Sequence, residues 1–434
     1  MRAPFRLLCL GAVLVGCSGI TVVAPRAELR RVAPDDVPLP PFEPVAEGAE
    51  SMNSEYCLES CAAEKARFAE FAKQIQELQK LQSGNRGQSV QRGFHGKAHG
   101  CLYGTVEPLP DRDPRSKFGV FAEGKGPYKA WIRFSNGVGW TQPDDELDAR
   151  GMAVKLMGVE GARPFVATRD GGPDATGARP FVATRDGGPD ATGARPFVAT
   201  RDGGHPVGEE TQTQDFLMTN SPTPVGRNAE EFMKFAFANE RGRLSGYWFA
   251  ATHIRTGAPA LMRTDPIDSA ANAQYWAGGA FHLGAHQAVK YTAKPCEGSV
   301  PRPKGPRTDP DYLRKDLNAA AKAGLCFTYY AQYQADPKTS PIEHASREWP
   351  EDVAPPVPIA TIRMPAQDLA DPARDAFCEK LSYSPWHGIY AHQPMGHINR
   401  ARRYVYEASR EGRAGGFEPH GYEGFDAPPQ TPTK

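Results

Sequence analysis

Gly396-His397-Ile398-Asn399-Arg400-Ala401-Arg402-Arg403-Tyr404-Val405-Tyr406-Glu407-Ala408-Ser409-Arg410-Glu411-Gly412-Arg413 is the stretch on which the reading of this chain turns. Within it Arg402, Tyr406, Ser409 and Arg413 recur at offsets of four, three and four, which puts all four side chains on one face of a helix. Gly396 fits as the start of that helix and Gly415-Gly416 as its stop. A surface helix turns either an apolar stripe inward or a mixed charged face to water. Arg-Tyr-Ser-Arg on one face does neither. Arginine stays charged at any accessible pH and lowers the cost of removing a phenolic proton. A phenol flanked by two guanidiniums is therefore suited to become a tyrosinate that binds a hard cation, and tyrosinate is one of the few proximal ligands used for haem iron. Tyr404, on a different face, is the weaker alternative.

Three constellations lie upstream. Arg92-Gly93-Phe94-His95-Gly96-Lys97 stands just before the first strand-like segment. Alone, His95 reads as a satisfied structural histidine more readily than as a catalyst, and His99, four residues on, competes with it for a place in a pocket. Trp131-Ile132-Arg133-Phe134-Ser135-Asn136-Gly137 sets Arg133 inside an apolar strand, where an unpaired charge is costly. Such an arginine needs an anionic partner, and a haem propionate would serve. Asp148-Ala149-Arg150-Gly151-Met152-Ala153-Val154-Lys155 enters another strand through a charged turn. His387, His392 and His397 read as turn and surface histidines, the competing reading being a histidine-ligated peroxidase. Trp349 and Trp386 read as core.

The order of these motifs resembles the haem catalase superfamily: Arg-x-x-His-x-Lys, Arg-Phe-Ser, Asp-x-Arg-Gly-x-Ala-Val-Lys and Arg-x-x-x-Tyr-x-x-Ser-x-x-x-Arg, running from Arg92 to Arg413. Leu381–His387 (Leu-Ser-Tyr-Ser-Pro-Trp-His) and Asn399–Arg403 (Asn-Arg-Ala-Arg-Arg) are similar to segments of short, catalase-related bacterial proteins. The resemblance implies an α+β fold, an antiparallel eight-stranded β-barrel with surrounding helices, and haem b (iron protoporphyrin IX) held beside the barrel. It further implies Tyr406 as proximal ligand and Arg402 as the arginine that bonds its phenolate. His95 falls on the distal base, Ser135 on the serine that orients it, and Arg92, Arg133 and Arg413 on the propionate partners. The family carries a distal asparagine shortly before a Phe-Phe pair. This chain has Gln212-Thr213-Gln214-Asp215-Phe216-Leu217, which makes Gln212 the nearest substitute.

The expected function is that of a haem-dependent peroxidase or catalase-like enzyme reducing hydrogen peroxide or organic peroxides, with an unidentified electron donor. Neutral His95 would take the proton from the peroxide oxygen nearest iron and deliver it to the departing one. The substituted amide, and the lack of the helical or flavodoxin-like regions that large catalases carry after the proximal helix, put peroxidase use level with disproportionation. The alternative is a non-catalytic haem-binding carrier or sensor, which would be indifferent to His95→Ala.

The rest of the chain sets the context. Its 434 residues include 44 glycines and 41 prolines, favouring a loop-rich fold over a helical bundle. Lys+Arg and Asp+Glu balance at 51 each, so no basic excess argues for nucleic acid. Residues 1–16 read as a lipoprotein signal, with Arg2 and Arg6 before the apolar run Leu7–Val15, which is too short to span a bilayer. Leu14-Val15-Gly16-Cys17 resembles the bacterial lipobox, with Cys17 the lipidated N-terminus and the only membrane contact. Ser18 in place of Asp points to the outer membrane, facing the periplasm, so the expected location is the bacterial cell envelope. An ordinary cleaved signal is the competing reading.

Residues 17–55 read as a tether, 56–90 as an N-terminal helical arm, 91–414 as the haem domain and 415–434 as a tail. Phe68, Phe71, Ile75, Leu78 and Leu81 keep helical period, with Gly84 as the stop. Ala229–Ala238 and Asp311–Ala323 also look helical. Strand alternation begins near Cys101 and recurs at Tyr128–Ser135, Met152–Met157, Cys326–Gln334 and Ile359–Met364. Cys57, Cys61, Cys101, Cys296, Cys326 and Cys378 can oxidise in an exported chain, in a pairing that spacing leaves open. The absence of Cys-x-x-Cys-His excludes covalent c-type haem. GARPFVATRDGGPDAT at Gly161–Thr176 repeats unchanged at Gly177–Thr192 and begins again at Gly193–Gly204. This is a tandem expansion of a surface loop between strands, with too little apolar material to build a core. Assembly into a homo-oligomer stays open.

Overall fold

The computed structural model describes residues 61–164, 212–252, 267–284, 287–298, 308–413 and 416. The signal, the tether with Cys17 and Cys57, the repeat beyond residue 164 and the tail beyond residue 416 lie outside the described residues.

The strands are β1 (Ala98–Pro108), β2 (Tyr128–Asn136), β3 (Arg150–Met157), β4 (Arg163–Pro164), β5 (Thr213–Thr219), β6 (Tyr275–Ala277), β7 (Ala280–His282), β8 (Ala288–Pro295), β9 (Leu325–Tyr333), β10 (Val357–Met364), β11 (His387–Gly388) and β12 (Pro394–Met395). The helices are α1 (Cys61–Arg86), α2 (Ala229–Glu240), α3 (Arg243–Thr252), α4 (Tyr312–Ala321), α5 (Pro372–Lys380) and α6 (His397–Glu411). Strands β8-β6-β5-β3-β2-β1-β10-β9 neighbour one another in that order, and β9 pairs back onto β8. Eight antiparallel strands thus close into the expected barrel, which removes both open edges.

Period-two alternation sorts the side chains into two faces. Ala130, Ile132 and Phe134 of β2 and Met152, Val154 and Leu156 of β3 share one buried cluster with Phe121, Phe216, Tyr291, Phe327 and Tyr329. The rings fill the barrel: Phe121 and Phe216 stack at 5.9 Å and Tyr291 and Tyr329 at 5.2 Å between centroids. The opposite, outer face carries Arg133 and Ser135 of β2, Gly151, Ala153 and Lys155 of β3, and Asp215, Leu217 and Thr219 of β5.

The expected strands β1, β2, β3, β9 and β10 form, while β5 to β8 were hidden in the sequence. Gln214 and Asp215 are buried in β5 and break its polar-apolar alternation. β6 and β7 are three residues each, and β8 alternates (Val289, Tyr291 and Ala293 against Lys290 and Thr292) over only five residues. The helical expectation for the N-terminal arm holds with a corrected end. Gly84 lies within α1, and the chain leaves the helix at Gly87, whose φ of 61° suits glycine.

Two disulfides pin the barrel: Cys101–Cys378 joins β1 to α5, and Cys296–Cys326 ties the chain just past β8 to β9. Where the repeat begins and ends, Val159 N donates to Gln212 O at 2.7 Å and Gln212 N to Ala162 O at 3.2 Å, a backbone clasp. Among the described residues no helix is long and apolar enough to cross a membrane.

Candidate functional site

Helix α6 starts at Gly396, whose φ of 85° turns the chain, and ends at Glu411, short of Gly415-Gly416. Its first turn is held hard. Asn399 Nδ2 donates to Ala280 O at 2.8 Å, Trp386 Nε1 donates to Asn399 O at 2.7 Å, and Arg400 pairs with Glu64 and Glu343, both at 2.8 Å. Along the stripe, Arg402 Nη1 donates to Asn399 Oδ1 at 3.0 Å. Its guanidinium lies over Gly278, where any Cβ would come within 2.6 Å of Nη2. The expected bond from Arg402 to the Tyr406 hydroxyl is therefore not formed; Asn399 holds the guanidinium instead. Tyr406 is half-buried, and its hydroxyl has no hydrogen-bond partner among the described residues. One turn on, Ser409 Oγ accepts from Gly93 N at 3.1 Å, which brings the stripe against the His95 segment. Arg413, two residues past the helix, donates to Glu379 O and, at 3.0 Å, to Leu381 O.

The His95 segment is positioned from the far side by Asp148. That carboxylate accepts from Gly137 N at 2.9 Å and Val138 N at 3.2 Å, and the carbonyls of the same two residues accept from His95 N and Gly96 N, both at 2.8 Å. Burial raises the Asp148 pKa to about 6 against the opposing pull of Arg150. His95 has a φ of 60°, a left-handed backbone that a non-glycine residue adopts only under surrounding constraint. Its Nδ1 is 2.6 Å from Asn136 O and 3.2 Å from Ser135 Oγ. A carbonyl can only accept, so the proton is assigned to Nδ1 and the lone pair to Nε2. Gly151 makes room for the ring: a Cβ there would lie 2.6 Å from Nδ1. Burial first, and then the Arg133, Arg402 and Arg92 charges, lower the His95 pKa to about 4. The imidazole is neutral at pH 7, and the cation on α6 acts on it directly.

Arg92, Arg133 and Arg413 converge on one turn, residues 378–381. Arg92 Nη2 donates to the carbonyls of Cys378, Glu379 and Leu381 at 3.1, 3.0 and 2.9 Å, and Nη1 meets the Glu379 carboxylate at 2.5 Å. Arg133 Nη1 donates to His95 O at 3.0 Å, and Nη2 to Gly96 O at 3.2 Å and Glu379 Oε1 at 3.0 Å. Burial and mutual repulsion lower Arg92 to about 9, and burial lowers Arg413 to about 10, so both remain cations at neutral pH. Burial pushes the Glu379 carboxyl up, but Arg133 and Arg92 outweigh it and hold the group near 2.

Gln212 does not join this site. It borders the end of β5 where Thr213 pairs with Met157, whereas His95 lies at the other end, beside Gly151, which pairs with Thr219. Six residues of strand separate the two positions by roughly 20 Å. Asn220 is the amide at the His95 end of β5: its N donates to Arg150 O at 2.8 Å and its Oδ1 accepts from Arg150 N at 2.6 Å. Motif matching upstream of Phe216 could not find it, since Asn220 follows that residue; only strand register brings it to Gly151. Glu379 had no sequence signal either. His99 is fully enclosed, its Nδ1 3.6 Å from Asp144 Oδ1, and so presents no ring atom at the surface that His95 shares with the arginines.

The three C-terminal histidines are buried, contrary to the surface expectation. His387 Nδ1 lies 2.9 Å from Asp215 Oδ2, His392 Nδ1 lies 3.0 Å from the Tyr291 hydroxyl inside the barrel, and His397 packs on Phe68 at 5.0 Å. Asp215 also accepts from Ser384 N at 2.9 Å and pairs with Lys155 at 2.7 Å. The Leu381–His387 segment is thereby strapped to the outer face of β3 and β5, next to the arginine cluster. Trp349 and Trp386 are core, as expected.

No family model and no curated protein matches the sequence. The fold has known counterparts. Catalase A from Saccharomyces cerevisiae superposes with a TM-score of 0.54 at 17% identity, over 77% of this chain and 64% of its own. A fungal catalase gives 0.55 at 17% identity, over 77% and 61%. A bacterial catalase gives 0.54 at 17% identity, over 79% and 61%. The chain thus has a catalase-like barrel fold and spans about three fifths of the length of those catalases.

Proposed function

We propose that this protein binds haem b and uses it to reduce peroxides. The observation that carries the reading is Tyr406, a phenol without a hydrogen-bond partner among the described residues, on a helix face that also brings Arg402, the His95 segment and the arginine cluster together. The donor set fits such a cofactor. Three arginines suit an anion-armed porphyrin, and small Gly151 and Ala153 keep the outer face beside His95 low. Among the described residues no group of His, Cys, Asp and Glu could hold a bare metal ion.

Tyr406 would hold the iron, and Arg92, Arg133 and Arg413 the propionates. Bound there, haem would supply an iron centre able to exchange two electrons with peroxide. The chain's own residues move the proton. His95 Nε2 takes it from the incoming peroxide and returns it to the departing oxygen, so that water leaves instead of hydroxide. Ser135 and the Asn136 carbonyl keep the ring in that tautomer. Asn220, whose Oδ1 is engaged by Arg150 N, would have Nδ2 to donate to a peroxide oxygen. Reducing equivalents come from a second peroxide or an external donor. Export and lipid anchoring at Cys17 in the cell envelope belong to the same reading and rest on residues 1–17.

The test is the absorption spectrum of protein beginning at Ser18, beside its Tyr406→Phe variant, before and after peroxide. A ferric haem spectrum altered or lost in the variant supports Tyr406 as ligand, and a transient peroxide-induced change supports an enzyme over a carrier. Protein that stays colourless after haem supplementation would sink the proposal.

A further inference from the structure

The Glu379 carboxylate lies between Arg92 and Arg133, bridging Nη1 of one at 2.5 Å and Nη2 of the other at 3.0 Å. The three side chains are unequal. Those of Arg92 and Arg133 are 11% and 3% exposed, while that of Glu379 is 44% exposed. Each arginine is also held by backbone carbonyls that do not depend on the carboxylate: Cys378, Glu379 and Leu381 for Arg92, His95 and Gly96 for Arg133. The preceding residue, Cys378, is fixed to Cys101 by a disulfide. If the Glu379 side chain rotates toward solvent, the backbone and both guanidiniums keep their places, and an anion-binding position is left whose geometry is already set. Charge points the same way. Three guanidiniums against one carboxylate leave the cluster cationic, and withdrawing that carboxylate strengthens its pull on any incoming anion.

We infer that Glu379 is an exchangeable occupant of the anion seat between Arg92 and Arg133, competing with a carboxylate arm of the porphyrin and so setting how tightly the cofactor is held. The inference rests on the haem reading above. It makes Glu379 an affinity-determining residue that acts before any chemistry, in a protein that can take up and release its cofactor.

The experiment is a titration of full-length apoprotein with haemin, and separately with haemin dimethyl ester, following the Soret band and the rate of haem transfer to an acceptor protein. Glu379→Gln removes the competing charge while keeping the side-chain shape. It should bind haemin about tenfold more tightly and release it more slowly, with the ester unchanged. Glu379→Asp, too short to bridge both arginines, should fall between Gln and wild type, and Glu379→Ala should follow Gln. Equal or weaker haemin binding by Gln and Ala overturns the inference and makes Glu379 a strut of the site. The same gain with the ester as with haemin also overturns it. A Soret band absent from wild type and all variants overturns the haem reading itself, and this inference with it.

Discussion

His95 sits in a left-handed backbone with its Nδ1 on a carbonyl, beside a position where only glycine fits, so three separate residues fix one ring. Such convergence on a single side chain is what a general base requires. With its pKa lowered to about 4, chiefly by burial, the ring is unprotonated at neutral pH and loses its base function only as pH falls through about 4. The second-order rate of reaction with peroxide should then be flat above pH 5 and drop about tenfold per unit well below 4, measured by stopped-flow absorption. His95→Ala should lower that rate by about 10²–10⁴-fold at all pH values while keeping the haem spectrum; an unchanged rate would remove His95 from the mechanism. At this scale Tyr406, Arg402, His95, Ser135, Arg133 and Arg92 were legible because each lies in a short motif with chemistry of its own. Asn220 and Glu379 were not, since their relevance comes from strand register and from a contact 287 residues away along the chain.

Between elements, β3 and β5 are also joined by a charge pair with no exposure: Lys155 and Asp215 are both fully buried and 2.7 Å apart. Removing one member of such a pair leaves the other charge stranded in a poorly solvating interior. Asp215→Asn should therefore cost about 3–5 kcal/mol in denaturant unfolding and loosen the Leu381–His387 strap. A double substitution of both residues by apolar ones should recover much of the loss. The same pair explains the sequence reading's blind spot. A strand that buries Gln214 and Asp215 on the way to Phe216 looks like a loop to any test that equates burial with apolarity. Strands β2 and β3 carry an apolar residue at every second position (Ala130, Ile132, Phe134; Met152, Val154, Leu156) and were visible for that reason.

Over the described residues, aromatic rings crowd the barrel interior, and the arginines gather with His95 on the outside between β2, β3 and α6. Several histidines are built in as neutral groups. Burial lowers His392 and His397 to about 3 and His99 well below its ordinary value. In the unfolded chain they protonate near 6.5. Between those limits the unfolded state binds more protons, so stability falls as pH drops from about 6.5 toward 4. The melting temperature of the apoprotein should be level above pH 7 and decline steadily through that window; a flat profile down to pH 4 would contradict the burial of these rings. The eight-stranded class was legible through the motif order. Closure, by contrast, came from β9 returning to β8, a pairing that no local pattern encodes.

The backbone clasp that joins Val159 and Ala162 to Gln212 bears on heredity. Because Val159 and Ala162 are fastened to Gln212, adding or losing one sixteen-residue unit should leave the clasp in place; for a flexible loop, doubling the length costs only about 0.6 kcal/mol in closure entropy. Identical neighbouring units invite slippage during replication, and the clasp fixes where the passage leaves and rejoins the barrel. Copy number between Gly161 and Gly204 should therefore vary between close relatives more readily than the barrel around it, which sequencing of those relatives would check.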